Sequence, residues 1–112
     1  MARILRGDIW WAGLDPVLGH EQGGHRPVLI LSTEPYNFHT STVIAMAITA
    51  QPQRMGYPVT YALPDQLLPK QSWVKIGQIR TLAVERLGRR ICRLGEEEMV
   101  QIIGGFLELI GS

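Results

Sequence analysis

The chain of 112 residues has a single cysteine, Cys92, and few aromatic residues, which make up 7% of the sequence. A lone cysteine excludes an internal disulfide and a metal site built from several cysteines. No apolar run approaches the roughly 18 residues of a membrane-spanning helix, because the longest candidate, 43–50, has only the length of a strand. Charged residues interrupt the N-terminal segment early, so a secretory signal is not expected. Together these absences predict a cytoplasmic protein with no membrane segment.

Several familiar catalytic motifs are also missing. The sequence has no GxSxG elbow, no phosphate-binding P-loop and no HExxH motif. Its three histidines, His20, His25 and His39, lack the spacing of metal ligands. We therefore expect neither a bound metal nor another cofactor.

The residues that are present favour one compact domain spanning 1–112. Hydrophobic residues make up 46% of the chain, which excludes intrinsic disorder, and the length allows a core without covalent staples. The formal net charge of +1 conceals a strong asymmetry. Segment 70–93 carries seven basic residues and one acid, whereas 94–112 carries four glutamates and no base. From charge alone, a polyanionic partner and an ordinary solvated surface are equally favoured.

Short apolar runs separated by glycine and proline predict a mainly β fold. We expect strands at 7–14, 27–32, 42–49, 58–63 and 89–94, and one helical turn within 33–39. The segments 72–76 and 78–82 are expected to form either two short strands or one bent strand, with a bulge at Gly77. The 3.6-residue periodicity predicts one clear helix at 96–110. Its expected buried face comprises Met99, Ile102, Ile103, Phe106, Leu107 and Ile110. This pattern favours a small, strongly curved β-barrel or half-barrel with a C-terminal α-helix.

Three places could carry chemistry. The polar stretch 19–27 joins two apolar strands and ends in Arg26, which Pro27 and the strand after it should hold rigid. Thr49 ends the second buried strand beside Gln51, where a hydroxyl and an amide can line a cleft. An exposed loop and an ordinary β-strand threonine are the structural alternatives.

The third place is a predicted strand in the basic segment. A period of two puts Gln78 and Arg80 on one strand face, which suits bases and phosphates, although an outward edge face would look the same. Cys92 lies near Arg90 and Arg93, whose charges favour a thiolate. Because no base is evident beside it, we expect a structural cysteine.

An ordered set of motifs runs along nearly the whole chain. These are Arg6-Gly7-Asp8-Ile9-Trp10, Leu14-Asp15-Pro16, Gly19-His20-Glu21-Gln22-Gly23, Arg26-Pro27-Val28-Leu29-Ile30, Ile48-Thr49, Gln78-Ile79-Arg80-Thr81 and Arg86-Leu87-Gly88. In this order they resemble the MazF/PemK family of toxin endoribonucleases from type II toxin–antitoxin modules. The resemblance implies an SH3-like barrel with an added C-terminal helix, assembled as a homodimer. It also implies metal-independent, sequence-specific cleavage of single-stranded RNA and inhibition by a cognate antitoxin.

The resemblance also assigns roles to residues. The family's catalytic arginine and threonine match Arg26 and Thr49, and its flexible substrate loop contains His20, Glu21 and Gln22. Either Glu21 or His20 is the candidate general base, and the sequence leaves this choice open. Gly77 stands where some members carry an acidic residue, so a mechanism that uses that carboxylate does not transfer.

RNA binding is assigned to residues around the same motifs. Gln22, Gln51 and Gln78, with the loop backbone at Gly23, are expected to read base edges, and Lys75 and Arg80 to hold the RNA backbone. Attack by the substrate's own 2′-hydroxyl would yield a 2′,3′-cyclic phosphate and a 5′-hydroxyl. Two other functions stay open: a barrel that binds RNA or protein without cleavage, and a toxin of the same fold that inhibits DNA gyrase.

Overall fold

The computed structural model describes residues 3–14 and 24–111. In these ranges the chain forms six strands and two α-helices. The strands are β1 (Asp8–Gly13), β2 (His25–Ile30), β3 (Thr42–Thr49), β4 (Thr60–Ala62), β5 (Trp73–Ala83) and β6 (Leu87–Arg93). Helix α1 (Glu34–Thr40) joins β2 to β3, a 3-10 turn (Val84–Arg86) joins β5 to β6, and α2 (Glu96–Leu109) closes the chain. The predicted mainly β fold with a C-terminal helix is confirmed.

All six strands belong to one antiparallel sheet in the order β4-β5-β3-β2-β1-β6, and the sheet stays open between β4 and β6. Of the two alternatives for the segments 72–76 and 78–82, the single strand is confirmed, because both segments belong to β5. Its pairing with β3 shifts between Met46–Ile79 and Ile48–Val74, where five positions of β5 span two positions of β3. The predicted irregularity at Gly77 therefore lies inside a continuous strand.

Both faces of the central strands are covered. One core cluster contains Ile9, Leu29 and Met46, and the other contains the residues next to them, Trp10 and Val28 among them. Because successive side chains of a strand point to opposite faces, a strand buried on both sides needs a continuous apolar sequence. This explains why the segments at β2 and β3 show runs rather than alternation.

Helix α2 packs on the first of these clusters through Met99, Ile102 and Phe106. Met99 and Ile102 are fully buried there, whereas Leu107 and Ile110 are exposed, so the sequence-based buried face was wrong for its last turns. The helical period continues past the sheet surface that the helix covers. No helix within the described ranges is long and apolar enough to cross a membrane.

A buried carboxylate fixes β1 against β6. Asp8 is inaccessible to solvent and accepts hydrogen bonds from the backbone N–H of Leu5 (3.0 Å), the indole N–H of Trp10 (3.3 Å) and the guanidinium of Arg90 (3.1 Å). The guanidinium of Arg93 lies 3.5 Å from the same carboxylate. Asp8 therefore has a structural role. Its carboxylate forms ion pairs with two cations of the basic segment, Arg90 and Arg93.

Candidate functional site

Arg26 lies at the start of β2, and Thr49 lies at the end of the neighbouring strand β3. The register of β2 with β3 pairs Val28 with Ala47, and continuing it by two residues places Arg26 opposite Thr49. Residues directly opposite in an antiparallel pair share a face, with Cβ atoms about 5 Å apart. The pairing itself ends at Val28–Ala47, so Arg26 and Thr49 lie two residues beyond it, at the same end of β2 and β3.

The same row of the sheet extends to both sides of this pair. Thr49 pairs with Trp73 of β5, and Arg26 pairs with Ala12 of β1. Lys75 lies two residues beyond Trp73 and shares its face, since β4 pairs continuously with β5 over this stretch. The aromatic ring of Trp73, which the sequence analysis missed, therefore stands next to the Arg26–Thr49 pair.

The Thr49 side chain is held in place by the turn that follows it. It is 2% exposed, and its hydroxyl oxygen accepts a hydrogen bond of 3.2 Å from the backbone N–H of Gln51. A hydroxyl that accepts one hydrogen bond can still donate its proton to an anion. Gln51 itself is exposed, and its carbonyl accepts a hydrogen bond from the Gln53 amide, so the backbone after β3 is well defined.

Arg80 lies farther along the same face. It pairs with Ala45 on β3, four residues from Thr49, which corresponds to about 13 Å along a strand. Gln78 lies inside the irregular part of β5, so strand alternation does not fix its face relative to Arg80.

A groove of about 350 Å³, named groove A here, opens beside this pair. The exposed indole of Trp11 and the apolar side chains of Pro27, Ile48 and Ile91 form part of its wall. Its charged and polar lining comes from β2, the loop before β5, and β6, and consists of His25, Arg26, Lys70, Ser72 and Arg89. Groove A therefore combines positive charge with an aromatic surface.

Several arginines of the basic segment bind other groups of the same chain. Arg90 and Arg93 bind Asp8, and the Arg86 guanidinium donates a 3.2 Å hydrogen bond to the carbonyl of Gly13. The basic segment is therefore less available to a polyanion than its net charge indicates. Lys70 and Arg89 are exposed and line groove A. Sequence reasoning selected neither, because only the folding of the 63–72 loop and β6 brings them to Arg26.

Four of the predicted site residues cannot be placed. His20, Glu21, Gln22 and Gly23 lie outside the described residues, in the segment 15–23 between β1 and β2. The described part of the polar stretch begins at Gly24, and His25 and Arg26 are the first two residues of β2.

Cys92 is placed as a structural residue. It pairs with Ile9 on β1 and packs against the core, and burial raises the pKa of its thiol above the usual range. The charge of Arg90 acts in the opposite direction but is the weaker influence, so the thiolate-favouring effect considered from the sequence does not prevail. Within the ranges 3–14 and 24–111, no three His, Cys, Asp or Glu side chains gather as metal ligands.

Comparison with known proteins identifies close structural relatives. The family described as PemK-like, MazF-like toxin of type II toxin-antitoxin system matches residues 5–110. The chain is similar to the crystal structure of MazF (Form-I) from Deinococcus radiodurans, with 28% identity and a TM-score of 0.89 over the full length of both chains. It is also similar to a mycobacterial endoribonuclease in complex with its cognate antitoxin, with 26% identity, a TM-score of 0.73, and coverage of 99% of this chain and 96% of the other. The Mycobacterium tuberculosis toxin MazF-mt6 matches 92% of this chain and 95% of its own at 26% identity and a TM-score of 0.73.

Proposed function

The chain belongs to the PemK-like, MazF-like toxins of type II toxin–antitoxin systems, and from this membership we propose that it cleaves single-stranded RNA at short sequence sites without a metal ion. One observation carries the proposal beyond membership. The β2–β3 register, continued two residues beyond the Val28–Ala47 pair, aligns Arg26 with Thr49, and Arg26 also lines a groove that carries further positive charge. A guanidinium and a hydroxyl at this spacing can hold the same phosphate.

The proposed reaction uses the nucleophile that RNA itself supplies. The 2′-oxygen attacks the adjacent phosphorus, the bond to the 5′-oxygen breaks, and the products carry a 2′,3′-cyclic phosphate and a 5′-hydroxyl. Negative charge builds up on the phosphate oxygens during this step. Arg26 stabilises that charge by charge-assisted hydrogen bonds, and Thr49 donates its hydroxyl proton to the same group. DNA lacks the 2′-hydroxyl and cannot react in this way.

Groove A accounts for the preference for an unpaired strand. Lys70 and Arg89 attract the phosphates around the bond to be cut, and Trp11 offers a surface on which one splayed base can stack. Bases in a duplex are not available for such stacking. Lys75 and Arg80 extend the positive charge along the Arg26 face of the sheet and contact the strand on the far side of Thr49.

The protein partners are a second copy of the chain and a cognate antitoxin. Four large apolar side chains on α2 and just after it are exposed: Val100, Leu107, Leu109 and Ile110. Burying them in a homodimer would remove apolar surface from water. Sedimentation should show a dimer at micromolar concentration that Leu107→Glu weakens, and a wild-type protein that is only monomeric would contradict this assembly. The antitoxin inhibits RNA cleavage by covering groove A. Both proteins act in the cytoplasm.

The direct test of the proposed activity is an RNA cleavage assay in excess EDTA. Purified protein is incubated with an unstructured RNA of mixed sequence, and with DNA of the same sequence as the control. We expect cuts at a small set of sites, with 2′,3′-cyclic phosphate and 5′-hydroxyl ends, and no cuts in DNA. Intact RNA under all conditions, or inhibition of gyrase-driven supercoiling by the same preparation, would assign the protein to another activity of this fold.

A further inference from the structure

We propose that His25 is the general base of this reaction, acting on the 2′-hydroxyl from a ridge that separates two nucleotide-binding grooves. The inference rests on the proposed RNA cleavage and adds the proton acceptor that the described site otherwise lacks. Arg26 and Thr49 can stabilise charge, but neither accepts a proton readily near neutral pH. Gly77 cannot supply a carboxylate where some relatives carry one.

The position of His25 follows from the pairing of β1 with β2. Gly13 lies directly opposite His25, and Trp11 lies opposite Pro27, so Trp11 and His25 are diagonal neighbours on one face. The imidazole lies over Gly13: a Cβ atom added to that glycine would be 4.0 Å from His25 Nε2. The exposed ring therefore lies at ordinary van der Waals distance from the surface of β1 at position 13.

Trp11 and His25 together form a ridge between two grooves. Both residues line groove A, of about 350 Å³, and both line a second groove of about 470 Å³, named groove B here. Groove B is also bordered by Glu85, Arg86 and Leu87. Each volume lies within the range of roughly 300–1,000 Å³ found for small-molecule pockets, so each groove can hold one nucleotide.

This arrangement places a phosphodiester beside the imidazole. If one nucleotide occupies each groove, the phosphate that links them crosses the ridge at His25. Arg26 is the next residue along β2 and also lines groove A, so both residues border the path of the linking phosphate. The 2′-hydroxyl that attacks this phosphate belongs to the nucleotide on one side of the ridge.

The proton transfer is simple to write. Neutral His25 accepts the proton of the 2′-hydroxyl while the 2′-oxygen forms its bond to phosphorus. The bond between phosphorus and the 5′-oxygen breaks, and the 5′-oxygen takes a proton from water. His25 then releases its proton to solvent, which restores the neutral imidazole.

The charged groups around the ridge make a pH measurement informative. Groove A presents Arg26, Lys70 and Arg89, and groove B presents Glu85 and Arg86. Arginine and lysine stay protonated and glutamate stays ionised between about pH 5.5 and 8, whereas a histidine changes charge in this interval. Among the described residues that line the two grooves, His25 is the only histidine.

The experiment measures single-turnover cleavage of a short RNA at saturating protein from pH 5.5 to 8. The variants are His25→Gln, His20→Gln and, as a matched control, His39→Gln, an exposed imidazole on α1. We expect the wild-type rate to fall toward pH 5.5. His25→Gln should lower the rate at pH 7 by about 100-fold or more, remove the fall at acidic pH, and leave the affinity for RNA with a 2′-deoxy scissile nucleotide within a few-fold. His39→Gln should match the wild type.

A substrate with sulfur in place of the bridging 5′-oxygen completes the test, because a thiolate leaves without being protonated. The defect of His25→Gln should persist with this substrate, and its disappearance would make His25 an acid and overturn the proposal. A His25→Gln rate within a few-fold of the wild type overturns it too, as does a loss confined to RNA affinity. So does an acidic limb that only His20→Gln removes. If the wild-type protein cuts no RNA, the proposed function itself fails, which these outcomes distinguish from failure of the His25 assignment alone.

Discussion

Two adjacent glycines in the middle of α2 provide a sharp test of how this helix packs. A Cβ atom added to Gly105 would lie 2.9 Å from Ile76 Cδ1 and 3.0 Å from Tyr57 Cε1. A Cβ atom added to Gly104 would meet only the Tyr57 hydroxyl, at 3.4 Å. Glycine in a helix interior costs about 1 kcal/mol relative to alanine, so the two substitutions share the same gain and differ in their contacts.

Gly104→Ala should therefore stabilise the protein by up to about 1 kcal/mol. Gly105→Ala gains the same propensity but forces Ile76, which is fully buried, or the Tyr57 ring to move. Overpacking of a close-packed core costs about 1–3 kcal/mol. We expect Gly105→Ala to be less stable than Gly104→Ala by about 1–3 kcal/mol, the propensity being common to both.

Urea unfolding monitored by circular dichroism measures this difference, and thermal unfolding should show a Tm separation of about 4 °C or more per kcal/mol. A Gly105→Ala variant as stable as Gly104→Ala would refute the close approach of α2 to β5. Tyr57→Phe serves as an additional control. It removes the 2.8 Å hydrogen bond to the carbonyl of Gln101 and leaves the ring that Gly105 accommodates.

Three further predictions concern residues on the sheet. Asp8→Ala should destabilise the protein by about 2–5 kcal/mol in urea unfolding, because it leaves the N–H donors of Leu5 and Trp10 without an acceptor. Asp8→Asn keeps one oxygen and should lose less stability. Equal losses of stability for the two variants would contradict the structural role of this carboxylate. Cys92→Ser should cut RNA at a nearly normal rate, and a loss of several orders of magnitude with the fold intact would contradict its structural role. Arg80→Ala should weaken RNA binding and flatten its salt dependence with little effect on single-turnover cleavage at saturation, and an unchanged salt slope would remove its contact with the RNA backbone.

The sequence was most informative where a strand is buried on both faces. The apolar run at 42–49 predicted β3 with the bounds that the structure shows, and Pro27 marked the entry of β2 to within two residues. The same patterns do not predict which strands pair with one another or in which register. Alternation cannot show that β5 continues through Gly77, because a bulge changes the register without an apolar signature.

The residues of the candidate site also differ in whether the sequence predicts them. Arg26 and Thr49 carry motif signals, and their shared row follows from the β2–β3 register. Alternation puts Trp11 on the face opposite Trp10 but does not predict its exposure, because Ile9 on the same face as Trp11 is fully buried. Lys70 and Arg89 carry no local signal, because a loop and an edge strand that are distant in sequence bring them to groove A.

The central claim is that Arg26 acts on the phosphate during the chemical step. The decisive measurement compares Arg26→Ala with Arg89→Ala, a cation of the same groove, in two assays: single-turnover cleavage at saturating protein, and affinity for RNA that lacks the scissile 2′-hydroxyl. The account predicts a rate loss of about 100-fold to 1,000-fold for Arg26→Ala with a small change in affinity. Thr49→Ala should change both quantities in the same direction, and Arg89→Ala should mainly lose affinity. A normal cleavage rate for Arg26→Ala at saturation, with only weaker binding, would contradict the account and reduce Arg26 to a residue that positions RNA.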